Sequence, residues 1–579
     1  MQSWNSQSFL SSHFTMLRYA CKRAVPRLNA ASGLRFQSSK PADGPETVFT
    51  SLNEENDPNR DAFFKYTWGT WLKNNEAERA KRETRFSIEG LAEVIKSLPQ
   101  SGKAPIEAET EIKVTQLASL HEGKHHRVYR VDVDDGKQYV LRIPYGLGSE
   151  LFRKKRIQSE VATMDFVREK VANNKFIVPE VYSWNATVDN PLDTQYTLMD
   201  YFAGRDTLMK HWNPVAQEMT ERAAKIKPVV DIYSALLQPE FTRYGSLYFT
   251  EDVSSKDASV LAYKGAENDK KELADRWRIG PTTESRFWKN SLPEDSPLRG
   301  PWETAEEYIE ATAAINLHNL AELAKNGDRN PAVVAAATAT YEKYQQLASQ
   351  LLLRPEVEND NLFSARMGFG DLHPINVLVE GQKDIAESSL ALVDFENTSI
   401  KPALLIGTPD YVRYGGLKLF KTEDIPNYDQ LSDQEKAQVN YMIAQTQNAF
   451  TFEFLLNNEA PEFINSFSPR VKRLSEPVRL ALNPLYLEDH LDLSEEMIKL
   501  QQDWTPIMGM EREFPVHWTN EEYEKQAKDF AEWNQKAMST PFFQTKGWVP
   551  QDMFEQLFGN GLLDKTESGD YVYVPPKKE

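Results

Sequence analysis

The stretch Met367–Glu380, MGFGDLHPINVLVE, followed closely by Leu390–Glu396, LALVDFE, limits what this chain can fold into more than any other feature. Asp371 and Asn376 lie on a short polar loop that runs straight into the apolar run Val377-Leu378-Val379, and Asp394 closes a second apolar run. Short apolar runs bounded by polar loops read as buried strands. A hairpin turn near Gly381 would pair the two runs and bring Asp394 beside Asn376. Two carboxylates and an amide gathered in this way are hard oxygen ligands of the kind Mg²⁺ takes while it keeps phosphate oxygens bound. The bland alternative is a polar turn in which the Asp and Asn side chains cap the loop.

Upstream, KVTQLASL, RVYRVDV and YVLRIPY (139–145) carry strand patterning, and Asp134-Asp135-Gly136 suits a hairpin turn between the last two. QSEVATMDFVREKV follows with Val161, Met164, Val167 and Val171 spaced as a helical stripe. VPEVYSW and YTLMDYFAG then read as strands. From about residue 205 the character is helical, broken by a polar insertion around 250–300. The order is a β-rich block with one helix, then a larger helical block, so the fold class is α+β and two-lobed. The insertion, from GSLYFT at 245–250 through RWRIGP at 276–281, is expected to shape an acceptor pocket or a partner surface.

Both ends look like additions to this body. Residues 56–74 set five aromatics beside an Asp-Pro turn, which predicts docking onto the body. Arg79 to Arg85 reads as a solvated charged face, and Ser87 as the N-cap of a helix with Leu91, Val94, Ile95 and Leu98 on one side. Near the other end, Trp548, Phe554 and Leu557 read as core residues rather than a ligand box.

Asp-x-His-x-x-Asn followed by Asp-Phe-Glu resembles the aminoglycoside/choline phosphotransferase branch of the protein-kinase-like fold. The resemblance implies a β-rich nucleotide-binding lobe with hinge over residues 111–204 and a mostly helical lobe over 205–425, with an insertion near 240–340. An N-terminal extension (38–110) and a helical C-terminal region (426–579) would flank them. It implies ATP and Mg²⁺ as cofactors, Asp371 as the base that takes a proton from the acceptor hydroxyl, and Asn376 and Asp394 as metal ligands. His373 would brace the loop. LHEGKHHRVYRV (120–131) stands where the family has its phosphate-covering hairpin, with Gly123 and Lys124 at its tip. Arg142 stands in the place of the strand lysine that grips phosphates, with Glu160 as its ion-pair partner, and Asp200 sits in the hinge TLMDYFAG (197–204). Two residues depart from the family pattern: Phe369 replaces a His, and Arg142 replaces Lys. His121, His125 and His126 cluster near the hairpin, but lack the further ligands a zinc site needs.

The first 42 residues contain no Asp or Glu, yet carry Arg18, Lys22, Arg23, Arg27, Arg35 and Lys40 and many serines. That is the composition of a mitochondrial transit peptide, and Arg35-Phe36-Gln37-Ser38 resembles a matrix-protease site. Removing residues 1–37 would take the net charge from −19 to −24 and remove the single cysteine, Cys21. Disulfide, thiol-nucleophile and Cys-zinc chemistry would go with it. An excess of acid argues against nucleic acid as a partner, and no run approaches the length of a spanning helix. The segments NDPNRDAFFKYTWGTWLKN, LHEGKHHRVYRV, SEVATMDF, RWRIGP and STPFFQTKGWVPQDMFE (539–555) resemble a fungal family of mitochondrial proteins named for altered inheritance of mitochondria. The expectation is therefore a mitochondrial matrix protein that transfers phosphate from ATP to a hydroxyl of a small molecule. The alternative is a pseudokinase or scaffold that acts through a protein partner in mitochondrial inheritance or maintenance. A hydrolase built on the Asp-His loop has too thin a ligand set.

Overall fold

A computed structural model describes residues 63–98, 112–253 (apart from 174, 214, 216 and 217), 275–351 (apart from 328), 360–414 (apart from 382 and 384) and 421–574. The transit-peptide reading and the cleavage before Ser38 lie outside the described residues, as does the middle of the insertion.

The chain enters through the short strand β1 (Gly69–Trp71) and two helices, α1 (Asn75–Ala80) and α2 (Ile88–Ser97). Ser87 caps α2 as its position suggests, its Oγ accepting from the Gly90 N–H at 2.9 Å. Leu91, Val94, Ile95 and Leu98 are all buried. The strands β2 (Val114–Glu122), β3 (His126–Val133) and β4 (Gln138–Pro144) follow, then α3 (Glu150–Phe166), β5 (Val181–Asn185) and β6 (Tyr196–Asp200). These strands form one antiparallel sheet in the order β2-β3-β4-β6-β5. Gly136, at φ 84°, supplies the left-handed turn residue between β3 and β4. Alternation along β3 and β4 sends Tyr129, Val131, Leu141 and Ile143 into a core shared with α2 and with Phe63 and Phe64. The segment around residues 63–74 is thus docked, as its aromatics predict.

α3 is longer than its apolar stripe suggests. It starts at Glu150, where Ser149 Oγ accepts from the Phe152 N–H (3.2 Å), and its charged first turns precede the apolar part. Its last turn widens into a π-helix, Val167–Val171.

In the second lobe β7 (Arg205–Thr207) precedes α4 (Met219–Leu237), the hairpin β8 (Ser246–Phe249) and β9 (Trp277–Gly280), α5 (Ala305–Asn326) and α6 (Pro331–Ala348). β10 (Ala365–Gly368), β11 (Val377–Glu380), β12 (Ala391–Leu392) and β13 (Ser399–Pro402) carry the chemistry-bearing loops. The helices α7 (Asp433–Glu459), α8 (Pro469–Leu482), α9 (His490–Met508) and α10 (Asn520–Ser539) lead to β14 (Trp548–Pro550) and α11 (Gln551–Gly559). One continuous hydrophobic core runs from Phe152 to Val516, so α7, α8 and α9 pack into the same body as the strands β10 to β13. A five-stranded antiparallel sheet with one helix inserted between its third and fourth strands, joined to a helical lobe, is the two-lobed protein-kinase-like arrangement.

Two expectations need correcting. The run Arg79–Arg85 is not simply a solvated face. Arg79 Nη2 donates to Gly69 O (3.0 Å) and to Gln551 Oε1 (2.8 Å), and the Arg82 guanidinium lies 4.2 Å from the Trp71 ring centroid. Arg79 binds the two ends of the chain together where β1 pairs antiparallel with β14, and Arg82 covers the β1 side of that join. Nor is the join between β11 and β12 a tight turn at Gly381: a longer connection with a 3₁₀ turn, Ile385–Glu387, intervenes, and the Gly381 N–H donates to Gly204 O (3.2 Å). The described strands of the insertion brace α3. Lys155 Nζ donates to Asp252 O (2.9 Å) and Gln158 Nε2 to Asp252 Oδ1 (2.6 Å). Arg276 Nη2 and the Trp277 indole N–H donate to the Asp165 carboxylate at 2.6 and 3.1 Å.

Candidate active site

β11 pairs with β12 in the register Val377↔Leu392, and the Val393 N–H donates to Asn376 O at 2.9 Å. That pairing sets Asp394 beside Asn376, as the apolar runs suggested. Asn376 Nδ2 donates to the Asp371 carbonyl (2.9 Å), leaving the amide oxygen available as a ligand. Asp394 sits at φ 63°, in the left-handed region that non-glycine residues rarely occupy and that concentrates at functional sites. His373 braces the loop: its Nδ1 accepts from the Ile375 N–H at 3.2 Å, and its ring stands edge-on to Tyr411 at 5.6 Å.

Arg142 joins the lobes. Nη1 donates to Glu160 Oε1 and Nη2 donates to Asp394 Oδ1 at 2.9 Å. Arg142 and Glu160 are both buried. Burial pulls the Arg142 guanidinium down, but the Glu160 and Asp394 carboxylates raise it above its ordinary value, so the group is a fixed cation. Burial pushes the Asp371 carboxyl above the usual carboxylate range, and the Asp394 charge adds to this. The Lys124 ammonium opposes them. Of the predicted site residues, the structure brings Asp371, Asn376, Asp394, Arg142 and Glu160 together, and the Lys124 charge is felt at Asp371.

Gly123 and Lys124 occupy the β2–β3 turn, which closes through the Gly123 N–H and His126 O (2.8 Å). Buried Glu122 pins this turn by accepting from Thr67 N (2.6 Å), Thr67 Oγ1 (2.9 Å) and Trp68 N (3.1 Å). Asp200 does not join the cluster. Its carboxylate accepts from the Tyr182 hydroxyl (2.6 Å) and the Glu180 N–H (2.8 Å), where it ties β6 to the start of β5.

Two residues of the site, Glu396 and Arg156, were missed in the sequence, and His126 was weighed there only as a zinc ligand. The Glu396 carboxylate pairs with Arg156, one helical turn before Glu160, and lies 2.7 Å from His126 Nδ1. Burial first, then the Arg142 charge, lowers His126 to about 3, so the ring is neutral, with both the Glu396 carboxylate (2.7 Å) and Arg142 Nη2 (3.4 Å) beside its Nδ1. The available signal was the acidic residue directly after Asp394-Phe395 and the arginine four positions before Glu160. Phe369, the departure from the family's His, packs edge-on against buried Phe395 at 5.1 Å. An aromatic contact there holds the Asp394 loop to the Asp371 loop.

A Kluyveromyces lactis protein named "Altered inheritance of mitochondria protein 9, mitochondrial" is 36% identical to this chain, covering 95% of it and 98% of the relative. The chain belongs to the altered inheritance of mitochondria protein 9 family. A Saccharomyces cerevisiae member is 33% identical, with 96% of each chain covered. No protein-family model matches the chain. Among solved structures, a macrolide 2'-phosphotransferase type I is similar over 68% of this chain and 94% of its own, at 13% identity and a TM-score of 0.22. A Thermobifida fusca protein assigned as a fructosamine-3-kinase covers 70% of this chain and 97% of its own, at 14% identity and a TM-score of 0.32. The kinase-like reading of this family member rests on its own topology and site, not on those scores. No described helix is long and apolar enough to cross a membrane.

Proposed function

We propose that this chain is a mitochondrial, Mg-ATP-dependent phosphotransferase that phosphorylates a hydroxyl of a small molecule. One observation carries the reading: Asp371, Asn376 and Asp394 converge beneath an Arg142–Glu160 pair that ties the two lobes together. The donor set fits the cofactor, since the Asn376 amide oxygen and the Asp394 carboxylate are hard oxygen ligands and Arg142 and Lys124 are the cations a polyphosphate needs. Bound Mg-ATP supplies the phosphoryl group: its γ-phosphorus bonds to the acceptor oxygen while the bond to ADP breaks and the electron pair leaves with ADP. Asp371, held on a loop braced by His373, orients the acceptor hydroxyl and takes its proton. Its raised pKa suits a base, because proton affinity closer to working pH strengthens the pull on the hydroxyl. Asn376 and Asp394 hold the metal in place, and Arg142 fixes both Asp394 and Glu160.

The direct contact of Arg142 Nη2 with Asp394 Oδ1 favours a second reading, in which the arginine occupies a metal-facing oxygen and the protein serves as a scaffold. Incubating the purified protein with Mg-ATP and a mitochondrial metabolite extract, with Asp371→Asn as control, separates the two. A new phosphorylated metabolite made by the wild type alone supports transfer. No product, with no thermal stabilisation by millimolar Mg-ATP, defeats it. The Asp394→Ala protein should lose most of any such stabilisation.

A further inference from the structure

The turn between β2 and β3, residues 123–125, is held from outside its own sheet. Glu122 and Arg127 are the last residues paired before the turn, and both are buried. Their side chains meet, Arg127 Nη2 lying 3.3 Å from Glu122 Oε1, and together they grip one short piece of backbone. Glu122 Oε2 accepts from the Thr67 and Trp68 N–H groups, and Oε1 accepts from the Thr67 hydroxyl. Arg127 Nη1 donates to Lys65 O at 2.9 Å. The Trp68 ring stands edge-on to His121, the residue before Glu122, at 4.3 Å.

Residues 65–68 are fixed in turn by the far end of the chain. The Gln551 N–H donates to Trp68 O (2.9 Å), the Trp548 indole N–H donates to the Tyr66 hydroxyl (3.1 Å), and β1, which follows directly, pairs with β14. Gly69 permits this approach: a Cβ there would lie 2.1 Å from Trp548 Nε1 and 2.8 Å from Val549 O. Tyr66 also packs edge-on against buried Tyr145 at 5.9 Å, and the Tyr145 N–H donates to His125 O (2.9 Å), a second path to the same turn. Apolar side chains of similar volume are often as stabilising as a buried ion pair. What the charges add is direction, because each hydrogen bond fixes one atom at the base of the turn to one atom of residues 65–68.

We infer, on the phosphotransferase reading, that residues 65–68 and β14 form a buttress for the β2–β3 turn, and that Glu122 and Arg127 are positioning residues that set this turn over the phosphates of bound Mg-ATP. The turn is then ordered before nucleotide arrives, and the fraction of time it holds its place enters the affinity directly. The two ends of the chain thereby act on the nucleotide site at one remove.

Two measurements on the full-length protein test this. Glu122→Gln puts an amide donor where two accepting oxygens now stand. Trp68→Ala removes only the half-buried ring beside His121, and covers the case in which Glu122→Gln does not fold. Without nucleotide, the amides of residues 123–126 should exchange with deuterium about tenfold faster in Glu122→Gln, from the loss of hydrogen bonds to a charged group, and by a smaller factor in Trp68→Ala. By calorimetry, a turn in place for a tenth of the time should bind Mg-ATP about tenfold more weakly, while adenosine, which has no phosphate to cover, stays within about twofold. Unchanged exchange in both variants overturns the buttress. Faster exchange, with Mg-ATP affinity unchanged or weakened no more than that for adenosine, overturns the positioning role and leaves the phosphotransferase reading standing. A wild type that binds no Mg-ATP overturns that reading and the positioning role with it.

Discussion

Glu160→Gln tests the lobe-joining pair most directly. The substitution keeps shape and one hydrogen-bonding oxygen but removes the charge that faces Arg142 Nη1. Breaking a buried pair by deleting one partner costs about 3–5 kcal/mol when the other charge is left uncompensated. Here it is not, because Arg142 Nη2 keeps its 2.9 Å bond to Asp394, worth about 1.5–3 kcal/mol. The expected net loss is therefore about 2 kcal/mol, a fall of roughly 2 °C in melting temperature in a body of this size. A second effect follows from geometry. With Nη1 released, the guanidinium can turn both nitrogens onto the Asp394 carboxylate and compete with a metal for it. The stabilisation by Mg-ATP in a thermal melt should shrink as well. If Glu160→Gln melted with the wild type and gained as much from Mg-ATP, the pair would be neither structural nor coupled to the metal site, and this account of Arg142 would be wrong.

Asp371→Asn should lower turnover by about 10²- to 10⁴-fold with little change in Mg-ATP affinity, measured by steady-state kinetics on the identified acceptor. Because burial raises the Asp371 pKa and only the ionised carboxylate can take a proton, the acid limb of the rate profile should lie above the ordinary carboxylate range. Lys124→Met removes the one opposing cation and should move that limb to higher pH. Gly90→Ala places a Cβ 1.7 Å from Pro191 O, where α2 crosses backbone, and should cost about 1–3 kcal/mol in denaturant unfolding, since overpacking against a carbonyl cannot relax by rotamer change. Mass spectrometry of the protein recovered from mitochondria should find a new N-terminus near Ser38; an intact Met1 would exclude cleavage.

The sheet and the loop that carries Asp371 and Asn376 could be read from the sequence because both are written in local patterns. The alternation in RVYRVDV and YVLRIPY sets which face is buried, and loop-into-strand spacing puts Asp371, Asn376 and Asp394 together. Ser87 and Gly136 mark their cap and turn by residue type alone. What escaped the sequence depends on contacts between distant segments. The Arg79–Arg85 run looks solvated until β14 arrives from nearly five hundred residues away to meet it (Thr70↔Val549). α3 begins before its apolar stripe because its first turns are held by ion pairs and by the insertion, which leave no hydrophobic period. The Glu396–Arg156–His126 group joins three elements, and the local spacings that mark Arg156 and Glu396 do not say that the two meet. Asp200 adds a further contact that the hinge sequence does not announce: its carboxylate accepts from the Tyr182 hydroxyl and the Glu180 N–H, a tie between neighbouring segments.

The departure of Arg142 from lysine acquires a physical reason in this setting. A lysine ammonium is a compact point charge, whereas the guanidinium is a planar fork whose two ends can serve separate carboxylates at once. Here one end holds Glu160 on α3 and the other holds Asp394 on the loop after β12, while Arg156 and Glu396 repeat a cross-lobe link nearby. Such burial is costly: a fold that needed only stability would lose nothing, and often gain, by replacing these ions with apolar side chains of similar volume. The insertion adds to the arrangement by tying Lys155, Gln158 and Asp165 along α3, which holds Glu160 in reach of Arg142. The structure thus commits several buried charges and a bracing hairpin to keeping one aspartate, Asp394, in a left-handed backbone conformation opposite Asn376. A non-glycine residue kept in that backbone conformation and held by a buried guanidinium is the kind of strained arrangement that concentrates at functional sites.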